Sequence, residues 1–300
     1  MNQTALVLEG GAMRSIYAAG VLDILMENNI EFPYVIGSSA GNLIAANYVA
    51  KHIGRSARIN ILHSNDPNYF GIRHFIKSRG NIFNFNYLYH TPINDLYPYN
   101  VELLQETKQR FIITATNCIT GMPIYFEKNK YNEMTEALTA SCSLPIISKI
   151  VKIDGYQCLD GGISIPIAID KAIIDGNMKI VVVLTRNVDF RKKENPLLLN
   201  LAFRAVYRKY PALVQRLIDL PSCYNQLLEK VITLENEGRI FVVRPSMPLN
   251  VSRTEQNARK LMSAYLMGRD DMKSSMSDMI EYIKTEVSND LKIKNYDSSA

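Results

Sequence analysis

The stretch Val35–Asn42, VIGSSAGN, decides the reading of this chain. An apolar run ends on Gly37, two hydroxyls follow, and Ala40 and Gly41 open a segment (40–52, AGNLIAANYVAKH) with the pattern of a helix. Gly37-x-Ser39-x-Gly41 is the spacing of a strand-to-helix elbow. The central residue sits at a strained apex, and the residues two positions either side must be small because the two backbones crowd there. That geometry selects Ser39 over Ser38 as a nucleophile candidate. It also sets Ser39 near a helix N-terminus, where the dipole favours developing negative charge. The same residues fit a plain tight turn as well, since short motifs match by accident.

Upstream, TALVLE (4–9) reads as a buried strand that Gly10-Gly11 breaks. Residues 13–27 then place Ile16, Ala19, Val21, Leu22, Ile24 and Leu25 at the spacing of a helix packed on a sheet. With PYVIGS (33–38) as the second strand, this strand–helix–strand–helix start predicts an α/β fold with a parallel sheet. Downstream, RFIITATNC (110–118) and GMPIYFE (121–127) read as a hairpin turning near Ile119-Thr120-Gly121. EMTEALTASC (133–142) reads as a helix, and ISKIVKI (147–153) and YQCL (156–159) as short strands about the turn pair Asp154-Gly155. KIVVVLT (179–185) has the unbroken apolar character of a buried parallel strand.

Beyond that the chain reads as mostly helical. Ser252-x-x-Glu255 has capping-box spacing and predicts a helix through Met267, and Met272, Met276, Met279, Ile280 and Ile283 make a further apolar stripe. The Tyr- and Asn-rich residues 66–100 read as an excursion over the surface, with the composition of an acyl-pocket lining or lid. The expected organisation is one domain over 1–288, with a core over about 4–185, a helical part over about 186–288, and a polar tail at 289–300.

Composition narrows the function classes. Apolar residues are 47% of 300, enough for a sizeable core, and a net charge of +5 does not demand a nucleic-acid partner. The four cysteines are widely spaced, none in a CxxC pair, which fits free thiols in a reducing compartment. The start, MNQTALVLEGG, lacks the basic region of a signal peptide, and no run of about 18 apolar residues occurs. The expected location is cytoplasmic, with peripheral membrane contact through 186–216. That stretch mixes Leu197, Leu198, Leu199, Leu201, Phe203 and Val206 with Arg191, Lys192, Lys193, Arg204, Arg208 and Lys209. The same pattern also fits a helix that covers the sheet.

Acyl transfer needs backbone N–H groups aimed at an oxyanion. Gly10-Gly11-Ala12 follows one strand and opens a helix, so its N–H groups would face the ligand-binding edge of the sheet. Neither G-x-G-x-x-G nor a Walker loop is present, which argues against a nucleotide site. The base is the harder question. His52, His63, His74 and His90 all lie between 52 and 90, and none follows in the Ser–acid–His order of an α/β-hydrolase. A carboxylate base is therefore expected, and Asp160, in CLDGGISIP before Gly161-Gly162, is the candidate. Asp-Gly is also a common turn pair.

Taken together, GGAMRS (10–15), GSSAG (37–41), ASCSLP (140–145) and DGG (160–162) resemble, in order, the conserved blocks of the patatin-like phospholipase family, up to about residue 185. SMPLNVSRTEQNARKLMSAYLMG (246–268) resembles a segment of its bacterial branch. The resemblance implies a three-layer α/β/α fold with a mainly parallel central sheet and a helical C-terminal part. It implies Ser39 as nucleophile and Asp160 as base, without histidine. It implies the N–H groups of Gly10, Gly11 and Ala12 as oxyanion hole, Arg14 beside them, Gly37, Gly41, Gly161 and Gly162 in support, and no metal or cofactor. The substrate would be a lipid or other acyl ester. A soluble ester, or lipid binding without catalysis, stays open at this point. Ser15 departs from the family pattern, which has glycine there; a left-handed φ at that position would strain a serine.

Overall fold

The computed structural model describes residues 3–89, 93–99, 101–128, 130 and 134–285, so His90 and the tail at 289–300 lie outside the described residues. Strand β1 (Thr4–Leu8) runs parallel to β2 (Tyr34–Ser38) on one side. On the other side it pairs with β7 (Lys179–Val183). Every residue of β1 is buried, as an unbroken apolar central strand requires. β3 (Arg110–Asn117) extends the parallel sheet beyond β2, and the hairpin partner β4 (Pro123–Glu127) pairs antiparallel with β3. β5 (Val151–Ile153) and β6 (Tyr156–Asp160) form the second hairpin, with β6 antiparallel to β3.

The alternation of side chains along the strands builds two cores. Leu6, Leu8, Val35, Phe111, Ile113, Val181 and Val183 face one helical layer. That layer contains α1 (Ile16–Glu27), α2 (Ala40–Val49), α8 (Met134–Ser141) and α12 (Ala258–Lys284). Ala5, Val7, Ile36, Ile112, Ile180 and Val182 face the other, built from α9 (Ile169–Ile174) and α11 (Pro211–Asn236). The result is the expected three-layer α/β/α arrangement with a mainly parallel sheet.

The surface excursion follows α3 (Arg55–Leu62). It contains the short helices α4 (Ile72–Ser78), α5 (Phe85–Tyr89) and α6 (Ile93–Leu96), outside the sheet as anticipated, and α7 (Val101–Glu106) follows it. Tyr69, Phe70, Phe85, Tyr87 and Leu88 form its own cluster, which closes against Cys142. Helix α10 (Leu197–Val206) precedes α11 and buries only Phe203, leaving Leu197, Leu198, Leu201 and Val206 exposed.

The C-terminal part is mostly helical, as expected, with one addition and one correction. The addition is β8 (Phe241–Val243), a short parallel strand beside β7. Ser252-x-x-Glu255 opens no helix, although Glu255 does accept the Ser252 N–H at 3.4 Å. The cap is Asn257, whose Oδ1 accepts from the N–H groups of Arg259 (3.0 Å) and Lys260 (3.3 Å). The two apolar stripes are one continuous helix, with Leu261, Met272 and Met279 on its buried face. α12 approaches α1 closely enough that a Cβ on Gly20 or Gly268 would strike the carbonyl oxygen of Tyr265 or Tyr17.

Candidate active site

Ser39 stands between the end of β2 and the start of α2 at φ 53°, ψ −135°. Such a backbone costs a non-glycine residue roughly 1–3 kcal/mol and persists only where the surroundings over-determine it. They do so here. The Ser39 N–H donates to Ser141 Oγ at 3.1 Å, and Asn42 Nδ2 donates to both Ser141 Oγ (2.8 Å) and the Gly37 carbonyl (2.9 Å). A Cβ on Gly37 would sit 2.8 Å from Asn42 Oδ1, and one on Gly41 would sit 2.8 Å from the Glu9 carbonyl. The elbow therefore needs glycine at both positions.

The two adjacent hydroxyls have different fates. Ser38 Oγ is fully buried and has no hydrogen-bond partner among the described residues. Ser39 Oγ donates to Asp160 Oδ2 at 2.5 Å. Strand register explains this meeting of residues far apart in sequence. Ser38 lies opposite Thr114 and Asp160 opposite Ala115, consecutive residues of β3. Asp160 is anchored by its N–H donating to the Ser143 carbonyl (2.9 Å) and its carbonyl accepting from Thr116 Oγ1 (2.8 Å). Its Oδ1 accepts the Gly162 N–H at 2.7 Å. Gly161 lies so close to Thr114 that a Cβ there would strike its hydroxyl and carbonyl. Burial pushes the Asp160 carboxyl up to about 6, against the pull of the Ser39 and Gly162 hydrogen bonds and the charges of Arg253 and Lys192. A carboxylate so tuned, bonded to a hydroxyl, is equipped to accept its proton near neutral pH.

No described histidine bonds to either residue. His52 packs on Tyr99, His63 packs on Tyr87 and Tyr97, and His74 lies on α4. Cys142, next to Ser141, is no rival nucleophile, because burial first and the Asp160 charge second push its thiol well up.

The Gly10–Ala12 loop lies against the elbow. A Cβ on Gly10 would sit 2.7 Å from Ser39 Cβ, and one on Gly11 would sit 2.8 Å from Thr185 Oγ1. Among the described residues the N–H groups of Gly10, Gly11 and Ala12 donate to no protein acceptor, whereas the next two do: Met13 to the Arg253 carbonyl and Arg14 to the Gly11 carbonyl. The loop is braced by Glu9, a buried carboxylate. Glu9 Oε2 accepts from the Thr185 N–H (2.6 Å) and Oγ1 (3.0 Å), and Oε1 accepts from the Tyr224 hydroxyl (2.5 Å). Ser15 is unstrained at φ −64°, ψ −6°, so its side chain demands no unusual backbone.

The sequence-predicted residues thus come together, apart from the histidines that the reading had set aside. Several partners escaped it: Glu9, Asn42, Ser143, Thr185, Lys192, Tyr224 and Arg253. Glu9 alone carried a legible signal, a charged residue closing an otherwise apolar strand.

A sequence model described as Patatin-like phospholipase matches residues 6–173, from β1 through most of α9. One described as Domain of unknown function (DUF6363) matches 210–284, from α11 to the end of α12. The chain is 25% identical over 278 residues to the uncharacterized protein YjjU of Escherichia coli K12, covering 89% of this chain and 75% of that protein. Among solved structures, VipD from Legionella pneumophila aligns with a TM-score of 0.41 at 13% identity, over 91% of this chain and 67% of that one.

Proposed function

The chain belongs to the patatin-like phospholipase family, and from that premise we propose that it hydrolyses fatty-acyl esters of lipids through Ser39 and Asp160. The observation that carries this reading is the 2.5 Å bond from Ser39 Oγ to a carboxylate poised near pH 6, beside three unengaged N–H groups. Asp160 takes the hydroxyl proton as Ser39 Oγ bonds to the ester carbonyl carbon. The N–H groups of Gly10, Gly11 and Ala12 donate to the resulting oxyanion. The carbonyl re-forms, the lipid alcohol leaves with the proton from Asp160, and an acyl-Ser39 ester remains. Water, deprotonated by Asp160, cleaves that ester and releases the fatty acid. Residues 1–288 act in this reading as one unit, because α12 packs on the helix that follows the oxyanion loop.

The test is covalent labelling with a fluorophosphonate, read by intact mass. We expect a single adduct that survives Ser38→Ala and disappears with Ser39→Ala. An adduct that follows Ser38, or no adduct on the folded wild type, would sink the assignment. Catalytically silent lipid binding, for which a strained Ser15 would have spoken, is the second reading, and the ordinary backbone at Ser15 lends it no support.

The lipid reading is favoured over a soluble ester by α10. Leu197 and Leu198 are 74% and 80% exposed, beside Arg204 and next to Arg208 and Lys209. Among the described residues no helix is long and apolar enough to cross a membrane, so contact would be at the surface. Replacing Leu198 and Leu201 together with glutamate should lower turnover of vesicle-bound phospholipid by about tenfold or more relative to monomeric short-chain lipid. An unchanged vesicle-to-monomer ratio in steady-state assays would show that α10 plays no part in docking.

A further inference from the structure

Four cations from four separate segments converge on the Gly10–Ala12 loop. Arg14 lies on the helical turn Ala12–Ser15, and Arg186 comes just after β7. Lys192 belongs to the connection to α10, and Arg253 precedes α12. Burial first, and the neighbouring charges of Arg186 and Arg253 second, hold the Arg14 guanidinium below its ordinary value; burial first, and Arg253 and Arg14 after it, do the same to Lys192. Arg253 and Lys192 also act on Asp160, so the cluster borders the Ser39 site.

The cluster is held in place. The Met13 N–H donates to the Arg253 carbonyl at 3.3 Å. Asn225 clamps the Lys192 backbone at both ends, accepting from its N–H (2.8 Å) and donating to its carbonyl (3.0 Å). Lys192 Nζ lies 3.9 Å from the centre of the Tyr224 ring, and the Arg186 guanidinium lies 4.0 Å from that of Phe190.

These charges outnumber the acids that reach them: Glu9 acts on Arg14, Arg186 and Lys192, and Asp160 on Lys192, but without close pairing. Among the described residues none of the four has a carboxylate within 4.0 Å, whereas Arg110, Arg191 and Arg269 do. The two acids nearby are already engaged, Glu9 by Thr185 and Tyr224, and Asp160 by Ser39 and Gly162. Arg14 is only 7% exposed, and its Nε has no partner among the described residues. An unpaired cation at that depth is unfavourable unless an anion joins it.

We propose that Arg14, Arg186, Lys192 and Arg253 form a phosphoryl-binding subsite that holds the headgroup phosphate of an anionic lipid while Ser39 attacks its acyl ester. The inference rests on the hydrolase reading above and adds its substrate class. In a glycerophospholipid the phosphate is one glycerol carbon from the nearest ester-bearing carbon, which suits a subsite bordering the oxyanion loop. Guanidinium forks match phosphate oxygens geometrically, and several cations match a group that spreads its charge over several oxygens. A zwitterionic headgroup would bring a quaternary ammonium into a field of its own sign, so the same cluster selects against it.

The test compares dihexanoyl phosphatidylglycerol with dihexanoyl phosphatidylcholine, both kept monomeric so that surface attraction does not enter. The variants are Arg253→Gln, at an exposed residue, and Lys192→Gln; buried Arg14 is left intact. The wild type should favour the anionic lipid in kcat/KM by about tenfold or more, and each substitution should pull that ratio toward one mainly through KM. Equal rates in the wild type, or a preference that survives both substitutions, would overturn the proposal. A phosphorus-31 NMR titration of Ser39→Ala with glycerol 1-phosphate and with inorganic phosphate needs no turnover. Binding lost on adding both cluster substitutions is expected. Inorganic phosphate binding without any headgroup preference would assign the cluster to a free anion and remove the lipid. Should the wild type turn over neither lipid, the hydrolase reading falls, and the titration alone decides whether a phosphoryl subsite exists.

Discussion

Ser39→Ala lowers kcat on a phospholipid by an expected factor on the order of 10⁴–10⁶, down to what binding and the oxyanion loop alone can supply. The substitution removes one atom, Oγ, whose hydrogen bond goes to Asp160. It leaves in place the backbone at φ 53° and the Ser39 N–H bond to Ser141 that supports it. The fold should therefore survive with a melting temperature near that of the wild type. Ser38→Ala is the contrast. That hydroxyl is buried, without a partner among the described residues, and fully shielded from solvent. Its loss should leave kcat within a few-fold, because no interaction is broken. Steady-state rates with a thermal melt on the same samples decide the matter. Residual activity of Ser39→Ala above roughly a hundredth of wild type would move the nucleophile elsewhere.

Asp160→Asn should change activity and stability in opposite directions. As base, Asp160 must be ionised, and its pKa stands at about 6. In the wild type kcat/KM should fall about tenfold for each pH unit below that value and level off above it. The amide cannot accept the proton, so kcat should drop on the order of 10³–10⁴. Stability runs the other way. The folded-state pKa is raised above the unfolded one, so the folded protein binds the proton more tightly. The stability this contributes is present below the unfolded value of 3.8 and is lost as pH rises through about 6. At neutral pH the desolvated carboxylate costs roughly 3 kcal/mol, from a shift of about two units at about 1.4 kcal/mol each. An amide removes that charge, keeps an acceptor for the Gly162 N–H and offers a donor to Ser39. Asp160→Asn should thus melt several degrees higher than wild type at pH 7 and show little difference near pH 4. A flat pH–rate profile between 5 and 7, or a destabilised variant that still turns over, would remove Asp160 from the base role.

Much of the local architecture was legible because its causes are local. The elbow demands small residues at 37 and 41, since a strand and a helix backbone cross there, and the sequence supplies glycine at both. The apolar runs Ala5–Leu8 of β1 and Ile180–Val183 of β7 leave a buried parallel strand as the consistent reading. The misread helix start at Ser252 has an equally local reason. Capping-box spacing states which side chain can reach back to an N–H, and Glu255 does reach the Ser252 N–H, but Asn257 closer to the apolar periodicity makes two such bonds and wins. β8 was missed because three residues carry no measurable periodicity. Phe241–Val243 becomes a strand only because the exposed edge of β7 is there to pair with it.

The sequence by itself determined the α/β order of the N-terminal part and the apex position of Ser39; it places no histidine after position 90 and, through the family resemblance, points to Asp160 as the partner of Ser39. All of these follow from spacing within short segments or from the order of segments along the chain. Only the tertiary structure decided what surrounds that pair. The register of β2 and β6 on β3 brings position 160 to position 39, Ser141 and Asn42 hold the elbow, and Glu9 braces the loop through Thr185 and Tyr224. The unpaired charge of Arg14, Arg186, Lys192 and Arg253 is of the same kind. An electrostatic field and a burial penalty are sums over spatial neighbours, and residues more than two hundred positions apart become neighbours only when the chain has folded.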